Sequence, residues 1–209
     1  MERIRIYHIT HHSNLPRILT AGGLLCDKEA SDGCAVSIAY ADLKQRREHV
    51  AVPCEPGGVL ADYVPFYFAP RSPMLYAIHK GFVSHYAGGQ NEIVYIASSV
   101  QTVQRRRLPF VFTDGHPVVR ITRFFNRLNN LNQLDWQIMR ARAWHNTEDD
   151  PDRKRRRQAE FLVYRFFPWE AVEMLGVVDL EMRERVLTYL HDHAQQSVPP
   201  VYLRSSWYY

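Results

Sequence analysis

Cysteine is scarce. The chain of 209 residues holds three, Cys26, Cys34 and Cys54, with no CxxC spacing and no even count. That excludes a disulfide-stapled secreted scaffold and predicts a reducing, cytoplasmic setting. Long apolar runs are also missing. No stretch approaches the roughly 18 residues that a membrane span needs, so no membrane partner is expected. The chain opens with "MERIRIYHIT", directly in a strand-like alternation, which predicts no signal peptide. His11 and His12 have no further ligand at metal-binding spacing nearby, and no metal site is expected. Internal repeats and low-complexity linkers are absent too. What remains is one domain over 1–209, long enough to bury a real core.

Apolar residues make up 46% and charged residues 23%, an ordinary globular balance. The formal charge is +4, but it is uneven. Arg105–Arg107 and the run Arg153-Lys154-Arg155-Arg156-Arg157 hold eight of the 26 lysines and arginines. Two readings of such a run stay open: a solvated basic loop, or a surface for a polyanion such as nucleic acid.

Period and punctuation give a coarse map. "RIRIYHIT" (3–10) reads as a strand ending near His8, and Ser13 as the cap of a short helix stopped by Gly22 or Gly23. "CDKEASDGCA" reads as a loop and 37–50 as a second helix, with Arg46 and Arg47 late in it. A Pro/Gly loop leads to a short aromatic strand at 65–70. Ser72 and Pro73 then start a helix that Gly81 ends. Strands are predicted at 92–100, 109–114 and 159–167. The longest helix is predicted over 120–144, where Phe124, Leu128, Leu131, Leu134 and Ile138 recur. The segment 145–157 reads as a loop, 169–179 as a strand or short helix, 180–196 as an amphipathic helix, and the end as a strand with an aromatic tail. Irregular mixing of strands and helices predicts an α+β fold with a central mixed β-sheet.

Taken singly, most candidate site residues have a structural reading. His8 at a strand end is an ordinary core histidine, Tyr67 an aromatic core residue, and Arg47 a surface cation. Glu160 differs. A carboxylate at the start of a buried strand needs a partner or a task. One of the five cations just before it is the simplest partner.

Together the pieces resemble a known family. "IYHIT" followed by "NLPRIL", then "SIAYADLKQRR", "VPFYFAPRSPMLYAI", "LPFVFTD" and "QAEFLVY" are similar, in this order, to the DarT family of bacterial DNA ADP-ribosyltransferase toxins. The likeness runs from about Tyr7 to Tyr164 and on to the "WYY" end. It implies an ADP-ribosyltransferase-like fold with helices flanking the sheet. It implies an enzyme that cleaves NAD at the nicotinamide–ribose bond and transfers ADP-ribose to thymine in single-stranded DNA. NAD is then a co-substrate, single-stranded DNA a partner, and a macrodomain antitoxin the implied second partner in a bacterial cytoplasm.

The resemblance also implies roles. Glu160 is the catalytic carboxylate, stabilising positive charge as the glycosidic bond breaks. Arg47 is the essential arginine, contacting NAD phosphate and polarising or deprotonating the target base. His8, Thr10 and Asn14 hold the nicotinamide-side ribose and amide, while Tyr67 and Tyr76 line or stack on nicotinamide. Met74 and His116 lie near the DNA. Arg153, Lys154, Arg155 and Arg156, in the loop before Glu160, meet DNA phosphates or unpaired bases. The loop "CDKEASDGCA" departs from the family pattern, which leaves open how NAD is covered. Guanine in DNA, an RNA or protein acceptor, and an inactive NAD- or DNA-binding module remain the competing readings.

Overall fold

The computed structural model describes residues 3–30, 36–193 and 197–209. The second half of the "CDKEASDGCA" segment (31–35) and the last residues of the 180–196 helix prediction (194–196) lie outside the described residues.

Along the chain, β1 (Arg5–His11) leads through a 3₁₀ turn to α1 (Leu15–Thr20), β2 (Gly23–Leu25), α2 (Asp27–Ala30) and α3 (Ala41–Arg47). Next come β3 (Tyr63–Tyr67), α4 (Pro73–His79), β4 (Ile93–Ser99), α5 (Val100–Arg105) and β5 (Phe110–Thr113). Then follow β6 (Phe124–Phe125), α6 (Trp136–Arg140), α7 (Arg153–Arg157), β7 (Glu160–Tyr164) and β8 (Phe166–Pro168). The chain closes with β9 (Met174–Val177), α8 (Leu180–Asp192) and β10 (Val201–Leu203).

Eight strands form one sheet in the order β10-β9-β4-β1-β3-β7-β5-β6, and β2 pairs with β8 apart from it. Neighbours are antiparallel except β10 and β9, so the sheet is mixed, as expected. Strand alternation sorts the core. Ile6, Val64, Phe66, Phe161 and Val163 face α1, α6 and α8, which contribute Leu15, Leu19, Ile138, Val186 and Leu190. Tyr7, Ile9, Tyr95 and Ala97 face α4 through Leu75 and Ile78. The sheet is thinly joined at its centre, where β1 and β3 pair only at Tyr7 and Tyr67. Pro65, two residues before Tyr67, has no N–H for a ladder, and its carbonyl accepts instead from His8 Nδ1 at 2.9 Å.

Some expectations hold closely. Ser72 caps α4, accepting from the Leu75 N–H, with Pro73 at the first position. Gly22, at φ +73°, ends the turn after α1. Others need correction. Ser13 does not cap α1; Asn14 stands there, and its amide bonds to Thr10 and Val36 instead. His8 lies inside β1 rather than at its end. The long helix over 120–144 does not form. Phe124 and Phe125 pair at the sheet edge, 128–133 is a 3₁₀ helix, and only α6 is α-helical. Leu128, Leu131 and Leu134 recur every third residue, which fits three residues per turn as well as 3.6. Asp135 then caps α6 by accepting from the Ile138 N–H. The basic run is also not a loop but the short helix α7. The longest helix is α8. Among the described residues no helix is long and apolar enough to cross a membrane.

Candidate active site

Glu160 opens β7 and Tyr67 closes β3, and the two are register partners at one end of the sheet. Glu160 is 5% exposed. Its partner is not one of the cations just before it but Arg47, 113 residues away, whose Nη1 donates to Glu160 Oε2 at 2.9 Å. The Glu160 N–H donates to Thr113 Oγ1 at 3.0 Å, tying the start of β7 to the end of β5. Arg47, the last residue of α3, is as buried as Glu160 and also lies 3.4 Å from Asp27 Oδ2. Its Nε and Nη2 have no hydrogen-bond partner among the described residues. Buried donors without acceptors are costly, so this guanidinium suits a ligand anion. Burial alone would lower its pKa, but Glu160 and Asp27 carry it above the ordinary arginine value. Arg47 therefore stays charged, which makes it a poor proton acceptor.

Two cavities meet at Glu160. The smaller, about 250 Å³, is lined by His8, Thr10, Asn14, Arg47, Tyr67 and Glu160 among others. The larger, about 710 Å³, takes in Met74, Tyr76, His116, Trp144, Lys154 and again Glu160. Leu43, Tyr67, Met74 and Glu160 line both. The fold thus gathers all the residues expected at the cofactor around one cavity, with one exception. Tyr76 lines the larger cavity only, edge-on to Trp144 and Tyr209.

In the smaller cavity the polar groups hold one another. His8 Nδ1 faces a carbonyl, which can only accept, so the proton sits on Nδ1 and Nε2 is left as an acceptor. Burial lowers the His8 pKa, although Pro65 O pulls the other way, so the ring is neutral at pH 7. Asn14 donates to Thr10 Oγ1 at 3.0 Å and to Val36 O at 2.9 Å, and accepts from the Val36 N–H. Tyr67 has its phenol pKa raised, first by burial and then by the Glu160 charge, and stays protonated.

The basic run divides by role. Arg153 donates to the carbonyls of Ala143 and His145. Arg155 pairs with Asp152 and Asp114. Arg156 pairs with Asp135 and Asp150. Arg157 is buried and donates to Pro70 O and Arg71 O. Lys154 alone lines the larger cavity, and no ion pair engages its ammonium among the described residues. His116 lines the same cavity. Burial chiefly lowers its pKa, and its Nδ1 has no partner among the described residues.

Asp27, Thr113 and Asp114 were not legible as site residues. Asp27 meets Arg47, Thr113 meets Glu160 and Asp114 meets Arg155, each across a long stretch of chain, and no local pattern signals such a tertiary contact. His11 and His12 do acquire a third ligand-type group in Glu92, 2.9 Å from His12 Nε2. Arg185 Nη1 lies 3.3 Å from both His12 Nε2 and Glu92 Oε2 and supplies the positive charge of that cluster.

The model of the family described as "ssDNA thymidine ADP-ribosyltransferase, DarT" matches residues 7–209. A DNA ADP-ribosyl transferase of Thermus sp. (strain 2.9) is 48% identical over 204 residues, covering 98% of this chain and 95% of the relative. The structure of Thermus sp. 2.9 DarT in complex with ADP-ribosylated ssDNA superposes with a TM-score of 0.95 at 46% identity, covering 100% of this chain and 98% of the other. The same protein in complex with NAD+ gives a TM-score of 0.92 at 44% identity, covering 100% and 99%.

Proposed function

The chain belongs to the DarT family and is an NAD-dependent DNA mono-ADP-ribosyltransferase, and on that premise we propose that it modifies thymine in single-stranded DNA. The observation that supports this best is the buried Glu160–Arg47 pair at the junction of the two cavities. NAD occupies the smaller cavity and the target base enters from the larger, so that both reach Glu160.

The chemistry follows from these positions. The bond between nicotinamide and ribose breaks, and nicotinamide keeps the electron pair. The ribose carbon gains positive charge, which the Glu160 carboxylate, in a low-dielectric site, stabilises. A bond from that carbon to the base then forms and the acceptor proton leaves. Arg47 orients Glu160 and offers Nη2 to the pyrophosphate. His8 Nε2, Thr10 and Asn14 fix the ribose and amide, and Tyr67 covers nicotinamide. Tyr76, Met74 and His116 shape the acceptor side. From the basic run Lys154 meets the DNA phosphates, while Arg153, Arg155 and Arg156 frame the wall beside it. In the cell the enzyme acts as the toxin of a toxin–antitoxin pair in a bacterial cytoplasm, restrained by a macrodomain antitoxin.

The test is incubation with NAD and single-stranded oligonucleotides of restricted base content, read by mass. The expected result is one ADP-ribose on thymine-containing strands only. Addition to guanine would move the substrate and keep the chemistry. NAD consumption with no DNA product would point to another acceptor. Growth arrest on expression, lifted by Glu160→Ala and by a co-expressed macrodomain, tests the toxin role.

A further inference from the structure

Arg155 makes more side-chain hydrogen bonds than any other member of the basic run, and its side chain is 15% exposed. Its Nε and Nη2 donate to the two carboxylate oxygens of Asp152 at 2.8 and 2.7 Å. Its Nη1 reaches Asp114 Oδ1 at 3.3 Å and Thr122 Oγ1 at 3.2 Å. Thr122 in turn donates to His116 O at 2.8 Å, and the backbone carbonyl of Arg155 accepts from the His116 N–H at 2.9 Å. The guanidinium also packs against the turn itself. A Cβ added at Gly115 would come within 2.2 Å of Arg155 Nη1, so any side chain there would push the guanidinium out of its place. The same turn begins at Thr113, whose hydroxyl accepts the Glu160 N–H and donates to Gly115 O. One short segment, 113–116, therefore carries both the anchor of Glu160 and the ring of His116, and Arg155 clamps it.

We propose that Arg155 is a positioning residue, holding the 113–116 turn so that His116 faces Glu160 across the acceptor cavity, and that it does not bind DNA phosphate. A guanidinium bidentate to Asp152 and shared with Asp114 and Thr122 has four of its five N–H donors engaged, so a forked contact with a phosphate would dismantle the clamp. Lys154, next to it, lines that cavity, and among the described residues no ion pair engages its ammonium. The inference rests on the larger cavity being the acceptor side, as proposed above.

The experiment compares Arg155→Ala, Thr122→Val, Lys154→Ala, His116→Ala and the Arg155→Ala/His116→Ala double variant. It measures kcat and KM for a thymine-containing oligonucleotide, and the salt dependence of single-strand binding by fluorescence anisotropy. Arg155→Ala and Thr122→Val are expected to lower kcat on the order of 10- to 100-fold, because a misplaced group near the reacting atoms loses its alignment. KM and the salt slope stay at wild-type values. Lys154→Ala is expected to raise KM and to reduce the log–log salt slope by about 0.7. The double variant is expected to match His116→Ala, since residues acting as one unit are not additive. A reduced salt slope for Arg155→Ala, with kcat unchanged, would overturn the proposal. Thr122→Val guards against misfolding of the arginine variant, because it removes one hydroxyl and no charge. If the wild type modifies no DNA, it is the acceptor reading that fails. The clamp is then read directly by NMR titration of His116. Its pKa should rise toward about 6.5 in Thr122→Val as the ring becomes exposed, and an unchanged titration would reject the clamp.

Discussion

The two cavities are built by different means. The smaller is held by side chains that bond across long sequence distances: His8 to the Pro65 carbonyl, Asn14 to the Val36 carbonyl, Arg47 to the Glu160 carboxylate. The larger is held by half-exposed ion pairs between neighbours in a basic and acidic segment, such as Arg155 with Asp152 and Arg156 with Asp150. Buried bonds barely respond to salt, whereas partly exposed ion pairs are screened by it. Bond cleavage thus sits in a preorganised pocket, and acceptor choice sits in a framework that solution conditions can loosen.

The strongest way to break this contrast is Arg47→Ala. It leaves Glu160 as an unpaired buried carboxylate, and removing one partner of such a pair costs about 3–5 kcal/mol. Denaturant unfolding should show that loss, and transfer should be abolished. Glu160→Gln keeps the shape but removes the charge. Transfer and NAD cleavage should both fall by about 10²–10³-fold, with NAD binding retained by calorimetry. Asn14→Ala cuts three hydrogen bonds, to Thr10 and to the Val36 backbone, on the smaller side only, and should cost about 1–3 kcal/mol. Its effect should appear in KM for NAD, not in KM for DNA. The smallest expected effect is of pH. Burial lowers the pKa of His8 and His116, so the unfolded chain binds more protons than the folded one below about pH 6.5. Stability is full above that value and falls as pH drops toward the folded pKa values. His8→Gln should flatten the decline seen in pH-dependent melting.

Much of this was legible in the chain, for identifiable reasons. Alternation located β1, β4, β5 and β7, because each buries one or both faces in the sheet. Ser72-Pro73 marked the start of α4 because capping is local. Glu160 was marked by the oddity of an acid entering a buried strand. Its partner was not, since register across 113 residues leaves no local trace. The 120–144 segment misled because leucines at intervals of three fit two helical periods. The basic run misled in a different way. Charge density reports neither how many cations are engaged by the chain's own acids nor which one is left for a ligand.

The single backbone bridge between β1 and β3 carries a mechanical consequence. His8, Thr10 and Asn14 belong to one leaf of the sheet, and Tyr67 and Glu160 to the other. The leaves are laminated mainly by apolar side chains such as Ile6 and Phe66, whose contacts tolerate small sliding better than hydrogen bonds do. The compliance of the molecule is therefore concentrated along one line that runs through the site where NAD would lie. A substrate that bridges the leaves acts as a stitch across that line.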